Sequence, residues 1–182
     1  AGASLADGFA VLNAAGRHAL PVPLAETLAA GWLLAQANIA SPAGPMTVAP
    51  VRSNETIDIA ADGTLSGRAL AVPFARDAEH LAVLVSSQKG PAVALVATAD
   101  CRLGEGHNLA GESSTSVTFG GVTPLKLSSA PHLDRHALLL MGATMRAVQT
   151  AGALEAILAL SVAYANERVA FERKIGKFQA VQ

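Results

Sequence analysis

The stretch DRHALLLMGATMRAVQTAGALEAILALSVAYANER, residues 134–168, decides the fold class because only Gly142 and Gly152 interrupt its helical pattern. Alanine, leucine, methionine, glutamate and arginine dominate it, and these residue types are good helix formers. Apolar side chains fall on nearly every face, a pattern typical of a helix that is buried on all sides. The sequence therefore predicts a long, buried helix that begins near Asp134.

Two different patterns precede this helix and predict an α+β fold. Two shorter helices are expected from Ser4 to about Ala40, the first capped by Ser4 and Asp7. From Ser41 to about Ala130, short apolar runs alternate with turn residues, and Asp62-Gly63 between two β-type runs is a strong hairpin signal. We expect this central part to form a small antiparallel β-barrel or sandwich.

Composition and charge exclude several classes of protein. Hydrophobic residues make up 51% of the 182 residues and charged residues 15%, so the chain is not intrinsically disordered. The net charge of −1 provides no field that would attract nucleic acid or an anionic lipid surface. The abundance of small apolar residues instead favours packing against other subunits. We therefore expect an oligomer that binds no nucleic acid.

The single cysteine and the polar residues of the long helix bear on location. Cys101 has no second cysteine with which to form an internal disulfide, which favours a reducing compartment and a cytoplasmic location. The most apolar stretch, 147–165, contains Gln149 and Glu155 and is bounded by Arg146 and Arg168. We interpret it as a buried helix of a globular protein, with no membrane span.

General catalytic and metal-binding signatures are missing from the sequence, which contains no P-loop, GxGxxG, GxSxG or HExxH pattern. His132 and His136 have a spacing that suits two metal ligands on one helix face, but we interpret them as solvated side chains at a helix start. Cys101 lies between Asp100 and Arg102 without an assisting base, and we interpret it as structural. No metal site and no catalytic residue is assigned.

The segment that follows the long helix concentrates charge next to aromatic residues. It reads YANERVAFERKIGKFQ, residues 164–179. One interpretation is a helix end at which basic side chains face the negative end of the helix dipole. The other is an anion site, because arginine binds phosphate bidentately, an aromatic ring stacks on a flat ring and glutamine bonds polar edges. The residue types alone leave both interpretations open.

This segment resembles the signature region of the acyl-CoA dehydrogenase family, Tyr-Ala-x-x-Arg-x-x-Phe-Gly-x-x-Ile-x-x-Phe-Gln. The positions that match in type and spacing are Tyr164, Ala165, Arg168, Phe171, Ile175, Phe178 and Gln179. Glu172 departs from the pattern, because it occupies the usual glycine position. More weakly, residues 15–27 are similar to the end of the family's N-terminal helical domain, and residues 117–122 to the last strand of its central β domain.

The resemblance implies three domains and a piece of a longer protein. Residues 1–40 would be the end of the N-terminal helical domain, residues 41–130 the central β domain, and residues 131–182 the first part of the C-terminal helical-bundle domain. The family binds FAD and acyl-CoA in dimers or tetramers, oxidises the thioester between Cα and Cβ in fatty acid metabolism, and passes electrons to an electron-transfer flavoprotein.

The same resemblance implies cofactor-binding roles for Arg168, Phe171 and Gln179. In the family, the residues at these positions reach FAD across the dimer interface, and the arginine meets the pyrophosphate. An acyl-CoA substrate, an electron-transfer flavoprotein and a homo- or hetero-oligomer are therefore the expected partners.

Departures from the family pattern keep a second function open. The Thr-Glu-Pro-x-x-Gly-Ser-Asp motif that lines the flavin is replaced by residues 47–53, TVAPVRS, and the next flavin contact is replaced by residues 72–76, where Phe74 and Arg76 are the candidate substitutes. The family's catalytic glutamate has no counterpart here, and we interpret Glu155 as structural. The leading hypothesis is an FAD-dependent acyl-CoA dehydrogenase. The alternatives are a non-catalytic subunit that completes a partner's FAD site and a purely structural module.

Overall fold

Along the chain, two helices precede the strands and a long helix follows them, in the order that the sequence predicts. The computed structural model describes residues 4–182. Its elements are α1 (Leu5–Arg17), α2 (Leu24–Gln36), β1 (Met46–Ala49), β2 (Ile57–Ile59), β3 (Leu65–Pro73), β4 (His80–Ser87), β5 (Gly90–Ala97), β6 (Arg102–Leu103), β7 (Ser114–Val122), β8 (Lys126–Ser129), α3 (Arg135–Glu167), β9 (Val169–Ala170) and β10 (Arg173–Lys174). The α+β fold class is thus confirmed.

Contacts within the chain define two units. One comprises the N-terminal segment up to Leu20 together with Met145–Gln182, and the other comprises Pro21–Thr144. Helix α3 contributes its first turns to the second unit and its remainder to the first. The domain boundaries at residues 40 and 130 stay a prediction.

The sheet of the second unit is mixed, whereas a purely antiparallel arrangement was expected. Its strand order is β6-β7-β3-β2-β4-β5-β8, and β1 pairs with β4. Most pairs are antiparallel, including the β2–β3 hairpin around Asp62-Gly63, but β1 and β2 both run parallel to β4. The reason is that β1 and β2 are each separated from β4 along the chain by at least one other strand. A strand that follows such a crossover connection can lie parallel to the strand with which it pairs.

Strands β4 and β5 are buried on both faces, which explains their nearly continuous apolar sequences. On one face Leu81 and Val83 pack with Val96 and the apolar residues of β3 and β7 in the main hydrophobic core. Side chains on the opposite face of these strands, such as Leu84 and Val93, are also buried. Helix α2 packs against both strands. Strand β7 alternates buried and more exposed residues, as expected for a strand with one core face.

Helix α1 begins with the predicted cap. The Ser4 hydroxyl oxygen accepts a hydrogen bond from the Asp7 backbone N–H at 3.2 Å, and the Asp7 carboxylate accepts one from the Ser4 backbone N–H at 2.8 Å. This reciprocal pair is a capping box. These hydrogen bonds stabilise the charged carboxylate and lower the pKa of Asp7.

Helix α3 spans the predicted residues, but the expectation that it is buried on all sides is wrong for this chain. Its most apolar stretch has a mean hydropathy of 1.4 and is only 6% buried. Exposed apolar side chains include Leu154, Ile157, Leu158, Leu160 and Val162. By length and composition the helix is able to cross a membrane. The physical reason for the difference is that α1 covers one face of α3, whereas the apolar residues extend around the others.

Two glycines allow α1 and α3 to approach at backbone distance. A Cβ atom at Gly16 of α1 would overlap the backbone carbonyl group of Gln149 in α3, and one at Gly152 of α3 would overlap the carbonyl group of Asn13 in α1. The two contacts are reciprocal, since each glycine faces the backbone of the opposite helix. Close approach therefore depends on the absence of a side chain at both positions.

We predict that Gly16→Ala and Gly152→Ala each lower the free energy of unfolding by about 2 kcal/mol, because an added methyl group must push the two backbones apart. Gly142→Ala is the matched control, since nothing lies within 4 Å of a Cβ at that position of α3. The control should raise the unfolding free energy by about 0.5–1 kcal/mol through helix propensity. Equilibrium denaturation measures all three, and equal stabilities for the Gly152 and Gly142 variants would contradict the packing argument.

Candidate functional site

A short hairpin begins directly at the end of α3. The Arg168 N–H donates to the Tyr164 carbonyl at 2.9 Å and closes the last helical turn. Strand β9 then pairs with β10 in antiparallel register, and the Arg168 carbonyl accepts a hydrogen bond from the Ile175 N–H at 2.9 Å. The helix end thus fixes the base of the hairpin, and Arg168 lies at that base.

The two-residue turn of this hairpin contains strained residues. Phe171 has φ +50° and Glu172 has φ +63°, as a type I′ turn requires. Glycine adopts this left-handed conformation without strain, whereas a residue with a side chain loses roughly 1–2 kcal/mol. This geometry explains why glycine suits position 172. The Phe171 side chain is 91% exposed and therefore projects from the turn into solvent.

Aromatic contacts hold the hairpin against the following segment. The rings of Phe171 and Phe178 lie 6.4 Å apart, edge to face, and the Arg173 guanidinium carbon lies 4.0 Å from the centre of the Phe178 ring. Such contacts are favourable for an aromatic pair and for a cation above a ring. Phe178 is therefore fixed from two sides, and the next residue, Gln179, is exposed.

The three predicted cofactor residues, Arg168, Phe171 and Gln179, thus lie in one segment. Arg168 is linked to it through Ile175, and Phe171 through the ring of Phe178, which precedes Gln179. Across residues 4–182, no hydrogen bond or ion pair engages the exposed Arg168 guanidinium. Its five N–H donors are free for an external acceptor, and a pair of phosphate or carboxylate oxygens matches them. The segment therefore offers a guanidinium suited to an anionic group such as a phosphate.

Strand β1, which contributes the first residues of the stretch that replaces the family's flavin motif, does not offer a comparable contact. All four residues of β1 are buried, and the Thr47 hydroxyl donates to the Pro73 carbonyl at 2.7 Å. Phe74 is buried, and the Arg76 guanidinium donates to the Gly104 carbonyl at 2.8 Å. The hydroxyl of Thr47, the polar side chain of β1, is thus already hydrogen-bonded within the fold. The sequence did not reveal this, because the Thr47 bond joins residues that lie far apart in the chain.

Sequence reasoning also missed an open cavity of about 480 Å³ beside β4 and β5. Its lining residues are Arg76, Ala78, Glu79, Thr98, Ala99, Cys101 and Leu103. Burial, reinforced by the negative charge of Asp100, raises the pKa of the Cys101 thiol to about 11. Such a thiol is protonated and unreactive near neutral pH, in agreement with a structural role. His132 and His136 are both exposed, and residues 4–182 contain no cluster suited to a metal ion.

We predict that iodoacetamide alkylates Cys101 slowly at neutral pH, with a rate that reaches half its maximum near pH 11, because only the thiolate reacts. Cys101 is the only cysteine, so mass spectrometry of the whole chain reports on this thiol alone. The urea-unfolded chain is the control and should titrate near the ordinary value of 9.0.

The raised pKa of Cys101 also makes the stability of the fold depend on pH. The folded thiol keeps a proton that the unfolded thiol loses between pH 9.0 and about 11, so the contribution of Cys101 to stability falls as the pH rises through that range. Equal alkylation profiles for the folded and unfolded chains would contradict the raised pKa.

The chain has an α+β fold in which the long helix α3 ends in an exposed, basic hairpin. The sequence model for the family described as "Acyl-CoA dehydrogenase, C-terminal domain" matches residues 135–182. Helix α3 and the hairpin that follows it thus resemble the C-terminal domain of acyl-CoA dehydrogenases. In the search of the curated proteins, no sequence matches closely enough to count as a relative.

Solved structures share this fold over nearly the whole chain. A variant of the steroid ACAD Tcur3481-Tcur3483 is 26% identical, with a TM-score of 0.80 over 98% of this chain and 54% of that one. The ChsE4-ChsE5 complex from Mycobacterium tuberculosis is 24% identical, with a TM-score of 0.76 over 96% and 53%. A glutaryl-coenzyme A dehydrogenase in its glutaryl-CoA complex is 16% identical, with a TM-score of 0.72 over 94% and 53%. The chain thus spans about half the length of these structures.

Proposed function

We propose that the chain takes part in the FAD-dependent α,β-dehydrogenation of an acyl-CoA thioester, in an oligomer that passes electrons to an electron-transfer flavoprotein. The observation that carries the proposal is that the Arg168 guanidinium, at the base of the hairpin, is exposed and has no partner among residues 4–182, in the same hairpin as the exposed Phe171 ring. When bound, FAD supplies the acceptor for the hydride that leaves the β carbon. A cytoplasmic location is proposed with it, from the single cysteine.

The residues of this chain would bind and orient the cofactor. Arg168 would hold the pyrophosphate with its planar fork, because paired N–H donors match paired phosphate oxygens. Phe171 would pack its projecting ring against the bound group, and the Gln179 amide would bond a polar edge. Since all three are exposed here, the acceptor lies outside the chain's own core, which suits a FAD site completed across a subunit interface.

We predict that Arg168→Ala weakens FAD binding by about 30-fold to 700-fold, because a charge-assisted pair of this kind contributes about 2–4 kcal/mol. Arg168→Lys should restore only part of the affinity, since a point charge does not reproduce the fork. The measurement is FAD titration by flavin fluorescence on the full-length protein in its native oligomer.

The structure identifies Lys174→Ala as the matched control. Lys174 lies in the same hairpin and is exposed, and its side chain has no partner among the described residues. Arg173 is a poorer control, because its guanidinium packs on the Phe178 ring. Equal FAD affinity for the native protein and Arg168→Ala would show that Arg168 has no role at the cofactor.

A second candidate function is a non-catalytic subunit that completes the FAD site of a different chain. Two observations favour it. Strand β1 is buried and its Thr47 hydroxyl is committed to Pro73, so this chain presents no polar β1 side chain to a flavin of its own. In addition, two of the similar structures are named as pairs of proteins.

Visible absorption separates the two candidates. A non-catalytic subunit purified alone in its full length retains no flavin absorption after added FAD has been removed by desalting, and bound flavin is retained only in the assembly with its partner. A catalytic homo-oligomer binds FAD by itself. In both cases Arg168→Ala is expected to lower the flavin content of the assembled protein.

A further inference from the structure

Three side chains of the hairpin and of the segment after it form one continuous set of contacts. The Arg173 guanidinium carbon lies 4.0 Å from the centre of the Phe178 ring. The Phe171 ring meets the same Phe178 ring edge to face, at 6.4 Å and with an angle of 74° between the ring planes. An aromatic ring attracts a cation to its face and packs well against a second ring at a steep angle. Phe178 therefore links Arg173 to the hairpin turn.

Hydrogen bonds fix the backbone around this set of contacts, whereas the Phe178 ring depends on its neighbours. Arg173 pairs with Ala170 in the β9–β10 ladder, and the Phe178 N–H donates to the Ile175 carbonyl at 3.0 Å. The Phe178 carbonyl accepts a hydrogen bond from the Val181 N–H at 2.9 Å. The Phe178 ring is only half-buried, so core packing does not determine its orientation. The guanidinium that lies over the ring restricts that orientation.

The orientation of the Phe178 ring bears on two of the three proposed cofactor residues. Phe171 has φ +50°, a left-handed conformation that lowers the stability of a residue with a side chain, and its own ring is exposed. Such a conformation persists only where the surrounding structure supports it, and the Phe178 ring supplies part of that support. Gln179 follows Phe178 directly in the chain. A change at Phe178 is therefore expected to reach both residues.

We propose that Arg173 is a positioning residue of the candidate site, whose guanidinium holds the Phe178 ring in the orientation that receives the cofactor. Through that ring it orients Phe171 and Gln179. The inference rests on the proposed function, in which these two residues contact FAD, and Arg173 itself does not touch the cofactor. Affinity falls when the binding-competent conformation is only partly populated, so loss of this cation weakens binding without removing any ligand contact.

Two substitutions separate the charge of Arg173 from its bulk. Arg173→Met keeps a long side chain over the ring and removes the charge, whereas Arg173→Lys keeps a cation. FAD titration by flavin fluorescence, on the full-length protein in its native oligomer, should show binding about two- to fivefold weaker for Arg173→Met, the factor that corresponds to an exposed cation–ring contact. Arg173→Lys should restore most of the affinity. Lys174→Ala, the next exposed residue of the hairpin, is the matched control and should change nothing.

A double-mutant cycle shows whether Arg173 acts through Phe178. Phe178→Leu alone should weaken FAD binding, and Arg173→Met added to it should cause no further loss, because the ring through which Arg173 acts is already absent. Additive losses would overturn the proposal, since Arg173 would then bind a phosphate of the cofactor directly. Unchanged affinity of Arg173→Met in a protein that binds FAD would overturn it as well.

Amide hydrogen exchange, measured on the same assembly before FAD is added, tests the positioning separately from the proposed function. Exchange in residues 175–182 should be about two- to fivefold faster in Arg173→Met and close to native in Arg173→Lys, because the bond from the Val181 N–H to the Phe178 carbonyl opens more often when the ring is released. Equal exchange in all three proteins overturns the positioning role. If Arg168→Ala leaves FAD affinity unchanged while exchange in Arg173→Met is faster, the hold of Arg173 on the ring stands and the proposed function fails.

Discussion

The backbone contact between α1 and α3 is the constraint on which the candidate site depends. Gly16 and Gly152 each face the backbone of the opposite helix, so the two helices meet without side chains between them. That contact fixes one face of α3, and the last turn of α3 continues into the hairpin through the Arg168–Tyr164 bond. The position of Arg168 is therefore set by helix packing rather than by a flexible loop.

Polar groups are distributed unevenly between the two regions that the family resemblance connects with a flavin. Thr47 of β1 is buried and donates its hydroxyl proton within the fold, whereas Arg168 is exposed and keeps its donors free. A side chain whose hydrogen bonds are made within the fold gains little from a ligand, whereas a guanidinium without an internal partner gains a charge-assisted hydrogen bond. This contrast favours a contribution to a neighbour's site over a complete site within one chain.

The exposed apolar surface of α3 agrees with an assembled protein. Leucine, isoleucine and valine side chains along its second half stand in water in the isolated chain, and contiguous surfaces of this kind usually mark a contact with another chain. The hairpin that follows carries Arg168 and Phe171, both exposed. Subunit packing and cofactor binding are thus expected to involve neighbouring parts of the same helix and its C-terminal extension.

Local rules in the sequence determined the α+β class, the Ser4–Asp7 cap, the Asp62-Gly63 hairpin and the span of α3, because propensity and periodicity act over a few residues. The spacing of the terminal segment also identified Arg168, Phe171 and Gln179 as candidates. Only the tertiary structure decided that β1 pairs in parallel with β4, that the Thr47 hydroxyl donates to the Pro73 carbonyl, and that Phe171 and Glu172 have positive φ. These features depend on distant residues or on backbone angles, which no local pattern specifies.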